Sequence, residues 1–373
     1  MRICVDLTSL SDNFSGIERF ASSITKELIK NREYKWILLF KNDIYRAFKD
    51  EYENVEKIVI KGSNKLIFNQ VILPINLLRI KADRYFFPAF PAPFFFFNKN
   101  VFNTIHDLSC WDCPESNKKH MIWYFKIMYW KAALNGKQVI TVSEFSKNRI
   151  KQILKVKEEN ITVVYNGISK QFDSNAITGS DEKKIKKKYL LPEKYVLCLS
   201  TLEPRKNLKL LLDGYEELFK NNHIEEIVLA GRKGWKMDNF LKGYDREFLR
   251  HVHFTGFIAD EDLSSVYKLA EYFVFPSLYE GFGIPPLEAL ACGTRVVSSD
   301  AASLPEVLGE AVIYFKSQDV DDLKRAVRRE NYLLGAEKSR YVKNGIYQSQ
   351  KYRWDKEAQK LQVLFKEKYE DKG

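Results

Sequence analysis

Short apolar runs alternate, along almost the whole chain, with segments whose apolar residues recur every three or four positions. Ile3 to Leu7 reads as a first strand, after which Ile17, Phe20, Ala21, Ile24 and Leu28 fall at helical spacing. Trp36 to Phe40, Lys57 to Ile60, Asn103 to Ile105, Gln138 to Val142 and Ile161 to Tyr165 predict further strands. The rhythm then restarts with a strand at Tyr195 to Ser200, a helix at Asn207 to Phe219 and a strand at Ile224 to Ala230. Val252 to Phe257, Tyr272 to Phe275 and Val296 to Ser298 follow, each trailed by a helical segment. Such alternation belongs to parallel sheets covered on both faces. The pattern therefore predicts an α/β protein of two Rossmann-like, doubly wound parallel-sheet domains. The polar, lysine-rich stretch from Gly167 to Leu191 reads as a solvated helix or linker between them. It gives expected domains of 1–175 and 176–350, with a last helix in 351–373 whose apolar residues are Trp354, Ala358, Leu361, Val363 and Leu364. Doubly wound sheets bind ligands at the carboxyl ends of their strands. If the two sets of ends face each other, the site is the cleft between domains.

Candidate chemistry is densest after the Tyr272 to Phe275 run. Pro276 to Thr294 offers a loop with Gly281 and Gly283, then Pro285 and Pro286, then an amphipathic helix. Proline suits the first turn of a helix, where a missing N–H costs nothing. A glycine-punctuated loop entering a helix presents outward N–H groups to an anion. Two carboxylates, Glu280 and Glu288, flank that position. Carboxylates repel phosphate and pair with hydroxyls, so the two together suggest a sugar nucleotide.

Arg205-Lys206 follows the Tyr195 to Ser200 strand just before Asn207 opens a helix. Cations at a helix N-terminus oppose its dipole, which points to an anion between them. A diphosphate fits, with arginine as the bidentate partner and lysine as a point charge; the other reading is a surface Arg/Lys pair beside Glu203. His106-Asp107 closes the Asn103 to Ile105 strand, a place for ligand contact and equally for a packed or capping histidine. Ser15-Gly16 precedes the first long helix, where a glycine lets backbone approach a phosphate. Asp260-Glu261-Asp262 matches an Asp-x-Asp metal pattern formally, but acidic residues in a first helical turn are ordinary capping. No metal is therefore expected.

Composition narrows the surroundings. The chain has 373 residues and a formal charge of +11. Residues 1–180 hold 27 Lys/Arg against 18 Asp/Glu, a net +9, whereas residues 181–373 hold 33 against 31. The first half thus faces something acidic. No recognition motif supports nucleic acid. Five sparse cysteines fit a reducing compartment, and Cys110-Trp111-Asp112-Cys113 has no second pair to complete a zinc site. The amino terminus lacks the apolar core of a signal peptide, and no run is long enough to span a bilayer, so a cytoplasmic protein is expected. The apolar loop Phe86 to Phe97 and the aromatic segment Met121 to Trp130, flanked by Lys118, Lys119 and Lys131, suit either an anionic membrane interface or the domain core.

With these residues assembled, the chain resembles the retaining glycosyltransferases of GT-B fold that carry an E-x7-E motif, here Glu280 to Glu288. The resemblance extends over Ser15 to Arg19, Thr104 to Leu108, Thr141 to Ser146, Tyr165 to Gly167, Thr201 to Asn207, Ala230 to Trp235, Phe254 to Phe257 and Ser303 to Glu306. It is most similar to bacterial mannosyl- and rhamnosyltransferases of capsule and O-antigen assembly. The resemblance implies that Arg205 and Lys206 hold the donor diphosphate. Glu280 and the amides of Phe282, Gly283 and Ile284 would contact the sugar, and Glu288 the ribose. Phe257, with Arg232 or Lys233, would lie by the base, Gly16 by the phosphate and His106 by the sugar. It implies transfer with retained configuration by front-face attack, the leaving phosphate accepting the proton, and a last helix that returns to the first domain. Two departures stand out: Ser15 precedes Gly16 where many relatives have a second glycine, and Arg295 stands where many have proline.

The expectation is a metal-independent, cofactor-free hexosyl- or deoxyhexosyltransferase. Its partners would be a nucleotide sugar and a glycan acceptor, lipid-linked, met at the inner face of the plasma membrane. A non-catalytic sugar-nucleotide-binding subunit is the alternative from another class, separable by a turnover assay. A GT-B phosphorylase is a third, separable by the absorbance of a pyridoxal-type cofactor.

Overall fold

The computed structural model describes residues 1–11, 15–116, 119–135, 138–174, 182–201, 203–232 and 240–367. They form two compact units, one of Met1–Trp111, Asn117–Gly167 and Arg353–Gly373, the other of Asp112–Ser116 and Ile168–Tyr352.

The first unit is built on β1 (Arg2–Asp6), β2 (Lys35–Lys41), β3 (Val55–Ile60), β4 (Arg84–Phe87), β5 (Val101–Thr104), β6 (Gln138–Thr141) and β7 (Ile161–Val163). The sheet order is β3-β2-β1-β4-β5-β6-β7, and every pairing is parallel. Cys4 at the centre lies opposite Ile37 on one side and Tyr85 on the other. All four residues of β5 and of β6 are buried, as expected for strands covered on both faces.

The second unit is built on β8 (Val196–Leu199), β9 (Ile227–Ala230), β10 (Val252–Gly256), β11 (Tyr272–Phe275), β12 (Val296–Ser299) and β13 (Ile313–Phe315). Its order is β10-β9-β8-β11-β12-β13, again all parallel. Each sheet therefore winds outward in both directions from its first strand. The winding reverses between β1 and β4 in one sheet and between β8 and β11 in the other. In such folds the carboxyl ends of the strands at a reversal are where ligands bind. The core beneath the second sheet joins Leu211, Tyr215 and Leu218 of the helix Leu208–Lys220 to Val196, Leu229 and Leu323.

Two strands escape the sequence pattern. Arg84–Phe87, whose last two residues are read above as the start of an apolar loop, is a central strand; it is only four residues long, and Pro88 ends it at once. Ile313–Phe315 is a three-residue edge strand with too few positions for any period. The last helix runs Trp354–Lys366 and buries Trp354, Ala358, Leu361, Leu364 and Phe365. Val363 points outward, and Phe365 packs on Phe86 and Phe102, with ring centroids 5.6 and 5.0 Å away. All five cysteines are buried, and none is in a disulfide. Among the described residues, no helix is long and apolar enough to cross a membrane.

Candidate active site

Chemistry in the second unit gathers at the carboxyl ends of β8 and β11, which are neighbours across the winding reversal. The chain leaves β8 through a single 3-10 turn, Pro204–Lys206, and Asn207, at φ 53°, redirects it into the helix Leu208–Lys220. Asparagine is one of the few side chains that tolerate that left-handed conformation. The loop after β11 is stitched to this turn. Leu278 N–H donates to the Arg205 carbonyl at 2.9 Å, and Arg205 Nη1 donates to the Tyr279 carbonyl at 2.7 Å.

That stitching places Glu280 against both cations. Lys206 Nζ lies 2.6 Å from Glu280 Oε1, and Arg205 Nη1 lies 3.2 Å from Oε2. Glu203 takes the other side of the guanidinium, with Nη2 to Oε1 at 3.0 Å. Lys206 and Glu280 are both buried. Burial alone would raise the Glu280 pKa, but Lys206 and then Arg205 outweigh it and hold the carboxyl at about 2. The glutamate is therefore ionised. Burial and then Arg205 pull the Lys206 ammonium downward, and Glu280 opposes them.

The dipole argument from the sequence required an anion between Arg205 and Lys206, and in the structure that anion is Glu280. The two cations also sit in the 3-10 turn ahead of Asn207 rather than in the α-helix itself. The conflict with the helix dipole is thus resolved within the chain, and a diphosphate is not needed to explain it.

Beyond Glu280, the chain turns into the helix Ile284–Ala291 through Gly283 at φ 99°. That conformation calls for glycine, and a Cβ here would also lie 2.6 Å from Leu304 Cδ2 and push that side chain aside. Pro285 and Pro286 carry no N–H, which confines the amide donors at this end of the helix to Phe282, Gly283 and Ile284. Ser303 Oγ donates to the Glu280 carbonyl at 2.9 Å and fixes the bend. One turn along the helix, Glu288 is buried and accepts from Tyr267 Oη at 3.2 Å. Sequence reasoning gave Tyr267 and Ser303 no role. They act by holding named site residues, and no spacing rule marks such partners.

At the ends of β9 and β10 the structure brings together two further candidates. The Arg232 guanidinium sits 4.4 Å from the centroid of the Phe257 ring, which is half exposed. Gly231 directs the chain there: at φ 135°, a Cβ would fall 1.9 Å from the Ser200 carbonyl oxygen. Lys233, the other candidate at this position, lies outside the described residues.

In the first unit, His106 is buried just past β5. Its Nε2–H donates to the Pro88 carbonyl at 2.9 Å, and its ring meets Phe20 edge-on at 5.1 Å. Burial lowers its pKa to about 4, so the ring is neutral near pH 7. With the tautomer fixed by Pro88, Nδ1 is left as an acceptor, suited to a hydroxyl and not to a phosphate. Gly16 opens the helix Gly16–Leu28 behind a capping box of Ser15 and Glu18. That box places Glu18, an acidic side chain, in the helix's first turn next to Gly16.

Other charged motifs have structural partners. Asp262 accepts from Lys188 Nζ at 2.6 Å and from Tyr189 Oη at 2.7 Å. It therefore makes no side-chain cap on the helix Leu263–Leu269, contrary to the capping expectation, because those two donors take it. His251 and His253 grip Glu226 at the amino-terminal end of β9, the edge away from the ligand side.

Comparison with known proteins adds to this geometry. Residues 181–346 match the family described as Glycosyl transferases group 1, and residues 14–172 match Glycosyltransferase Family 4. O-antigen chain mannosyltransferase B of Escherichia coli is 30% identical over 343 residues, covering 86% of this chain and 88% of that protein. O-antigen chain mannosyltransferase RfbU of Salmonella typhimurium is 29% identical over 238 residues, 64% of this chain and 63% of that one. Among solved structures, HepE of Anabaena, determined in complex with UDP and glucose, has a TM-score of 0.72 at 18% identity, covering 98% and 99% of the two chains. That last likeness is one of fold.

Proposed function

The chain belongs to the glycosyltransferase group 1 family, with its GT-B fold, and we propose that it moves mannose, with rhamnose as the second candidate, from a nucleotide-diphosphate sugar to a lipid-linked glycan of a bacterial surface polysaccharide. The relatives' names favour an O-antigen and mannose. The observation that carries the reading is the Arg205–Lys206–Glu280 cluster beside the helix Ile284–Ala291. The second unit is assigned to the donor and the first to the acceptor, at the inner face of an anionic membrane.

In this mechanism Arg205 and Lys206 bind the donor diphosphate and therefore compete with Glu280 for the same N–H donors. Displaced from the cations, the Glu280 carboxylate accepts from hydroxyls of the sugar, joined by the amides of Phe282, Gly283 and Ile284. Glu288 holds the ribose, and Phe257 with Arg232 flanks the base. His106 Nδ1 accepts from a sugar hydroxyl, and Gly16 approaches the phosphate. The acceptor oxygen attacks the anomeric carbon on the face from which the diphosphate departs. As the new C–O bond forms, the bond to the diphosphate breaks, and the hydroxyl proton passes to the leaving phosphate oxygen. The products are a glycoside of retained configuration and a nucleoside diphosphate. Arg205 and Lys206 stabilise the charge that builds on the leaving group, so the reaction needs no metal.

The test is a thermal-shift screen of GDP-mannose, dTDP-rhamnose and UDP-glucose, followed by transfer to a polyprenyl-diphosphate-linked sugar and assignment of the product anomer by NMR. Stabilisation by a donor and a retained anomer are expected. No stabilisation by any of the three, or an inverted product, overturns the reading.

A further inference from the structure

The helix Lys119–Asn135 carries no acidic residue and is apolar on nearly every side. One side is accounted for: Met128 and Ala132 are buried, and Phe125 and Tyr129 stack in the aromatic cluster with Phe90 and Trp111. The other side is not. Trp123, Ile127, Trp130 and Leu134 fall at intervals of four, three and four residues, and Trp123 and Leu134 are 70% and 77% exposed. A helix that is apolar all round is normally enclosed on every side.

A second segment shows the same defect. From Lys65 to Arg79 the chain is helical, and Ile67, Val71, Ile75 and Leu78 recur along its outer face, with Leu78 72% exposed. The two segments are joined. Gln70 Nε2 donates to Tyr124 Oη at 3.1 Å, and Gln70 Oε1 accepts from Phe94 N–H at 2.9 Å. Lys131 turns inward and donates to the carbonyls of Pro93 and Phe96 at 2.7 and 2.8 Å, which fastens the exposed rings of Phe95 and Phe97 to the same helix. The exposed apolar side chains are thus carried by three segments of the first unit that are tied to one another, and exposed apolar surface of that extent marks an interaction site.

Charge identifies the occupant. Residues 61–106 and 117–137 together contain eleven Lys or Arg, of which Lys131 turns inward, and a single Asp. That Asp83 is engaged by the Arg2 amide at 2.7 Å. Tryptophan and phenylalanine among basic residues match the boundary between headgroups and acyl chains of an anionic bilayer. A protein partner of ordinary composition would bring no comparable density of negative charge. We propose that the surface formed by the helix Lys119–Asn135, the segment Lys65–Arg79 and the Phe94–Phe97 loop lies in the interface of an anionic membrane, with Trp123, Trp130 and Leu78 inserted and the surrounding lysines on the lipid headgroups. The inference deepens the assignment of a lipid-borne acceptor and rests on it for its purpose, but the binding itself stands on the surface alone.

The test is flotation of the full chain with phosphatidylcholine vesicles that contain or lack phosphatidylglycerol, at low and high salt. Binding is expected to anionic vesicles, to weaken with salt, and to quench tryptophan fluorescence when the lipids are brominated. Trp123→Ser with Trp130→Ser should lower partitioning about tenfold or more and abolish the quenching at an unchanged melting temperature. Lys119→Glu with Lys126→Glu should lower it by more than the roughly fivefold that each basic residue near the surface contributes. Failure of the wild-type chain to bind anionic vesicles overturns the proposal, as does binding of the tryptophan variant at the wild-type level. Concentration-dependent dimerisation that the tryptophan variant loses, without vesicle binding, also overturns it in favour of a self-interface. Donor binding measured by calorimetry without vesicles reports separately on the proposed activity, so failure of one reading is distinct from failure of the other.

Discussion

Replacing Glu280 by glutamine removes the anion that Arg205 and Lys206 share and leaves their shape nearly intact. Lys206 Nζ and Glu280 Oε1 are 2.6 Å apart, and each side chain is only about a tenth exposed (11% and 10%), so solvent cannot take over the lost partner. Removing one member of a buried pair costs about 3–5 kcal/mol. The glutamine carbonyl can still accept from Lys206, and Glu203 still neutralises Arg205, so the lower end, about 3 kcal/mol, applies. In a unit of this size each kcal/mol shifts the melting temperature by about 2–4 °C, which gives a fall of roughly 6–12 °C. Scanning calorimetry at neutral pH measures it. Because Glu280 is held at about 2, its contribution is complete above the ordinary carboxylate range and disappears as the pH falls through about 2. The gap between wild type and Glu280→Gln should therefore close on acidification. Pyrophosphate, an anion for the same two cations, should stabilise the variant more than the wild type. An unchanged melting temperature, or equal stabilisation of the two proteins by pyrophosphate, would refute the claim that Glu280 and a diphosphate compete for one slot.

Three further outcomes are expected. Glu288→Ala should weaken nucleoside diphosphate binding in calorimetry with a smaller effect on kcat, since ribose contacts are alike in ground and transition states; normal affinity would remove Glu288 from the nucleotide. Turnover should survive EDTA and fall by roughly two orders of magnitude in Arg205→Ala or Lys206→Ala; loss on chelation with recovery on magnesium or manganese would reverse that assignment. His106 is held neutral, with its pKa down at about 4. The first unit should thus lose stability as the pH falls from the free-histidine value towards 4, where the unfolded chain takes up a proton and the native ring does not. Thermal melts at pH 7 and pH 5 should show a smaller loss for His106→Gln, and identical losses would contradict the buried, neutral ring.

Periodicity located most strands because parallel strands covered on both faces are runs of apolar residues. It failed at Arg84–Phe87, where a central strand is short and merges into a proline-broken apolar stretch, and at the three-residue strand Ile313–Phe315. The cluster was legible residue by residue, since Arg205, Lys206 and Glu280 each stand out after a strand. Their mutual pairing was not, because residues 74 and 75 positions apart meet only through the adjacency of β8 and β11. The aromatic segments had two readings from sequence. The structure divides them within single helices, with Met128 and Ala132 buried and Trp123 and Leu134 exposed, a distinction that depends on which face a neighbouring element covers.

The helix Trp354–Lys366 belongs to the unit that begins at Met1. Trp354 packs on Phe20, Phe365 on Phe86 and Phe102, and Gln362 accepts from Asn31 Nδ2 at 3.2 Å. During synthesis, the second unit is therefore fully translated before the first has all of its core. Domains ordinarily fold in order from the amino terminus as the chain emerges. Here the earlier unit must wait on the ribosome with Phe20, Phe86 and Phe102 short of their last partners. The natural time to meet a chaperone, or a membrane, is that interval.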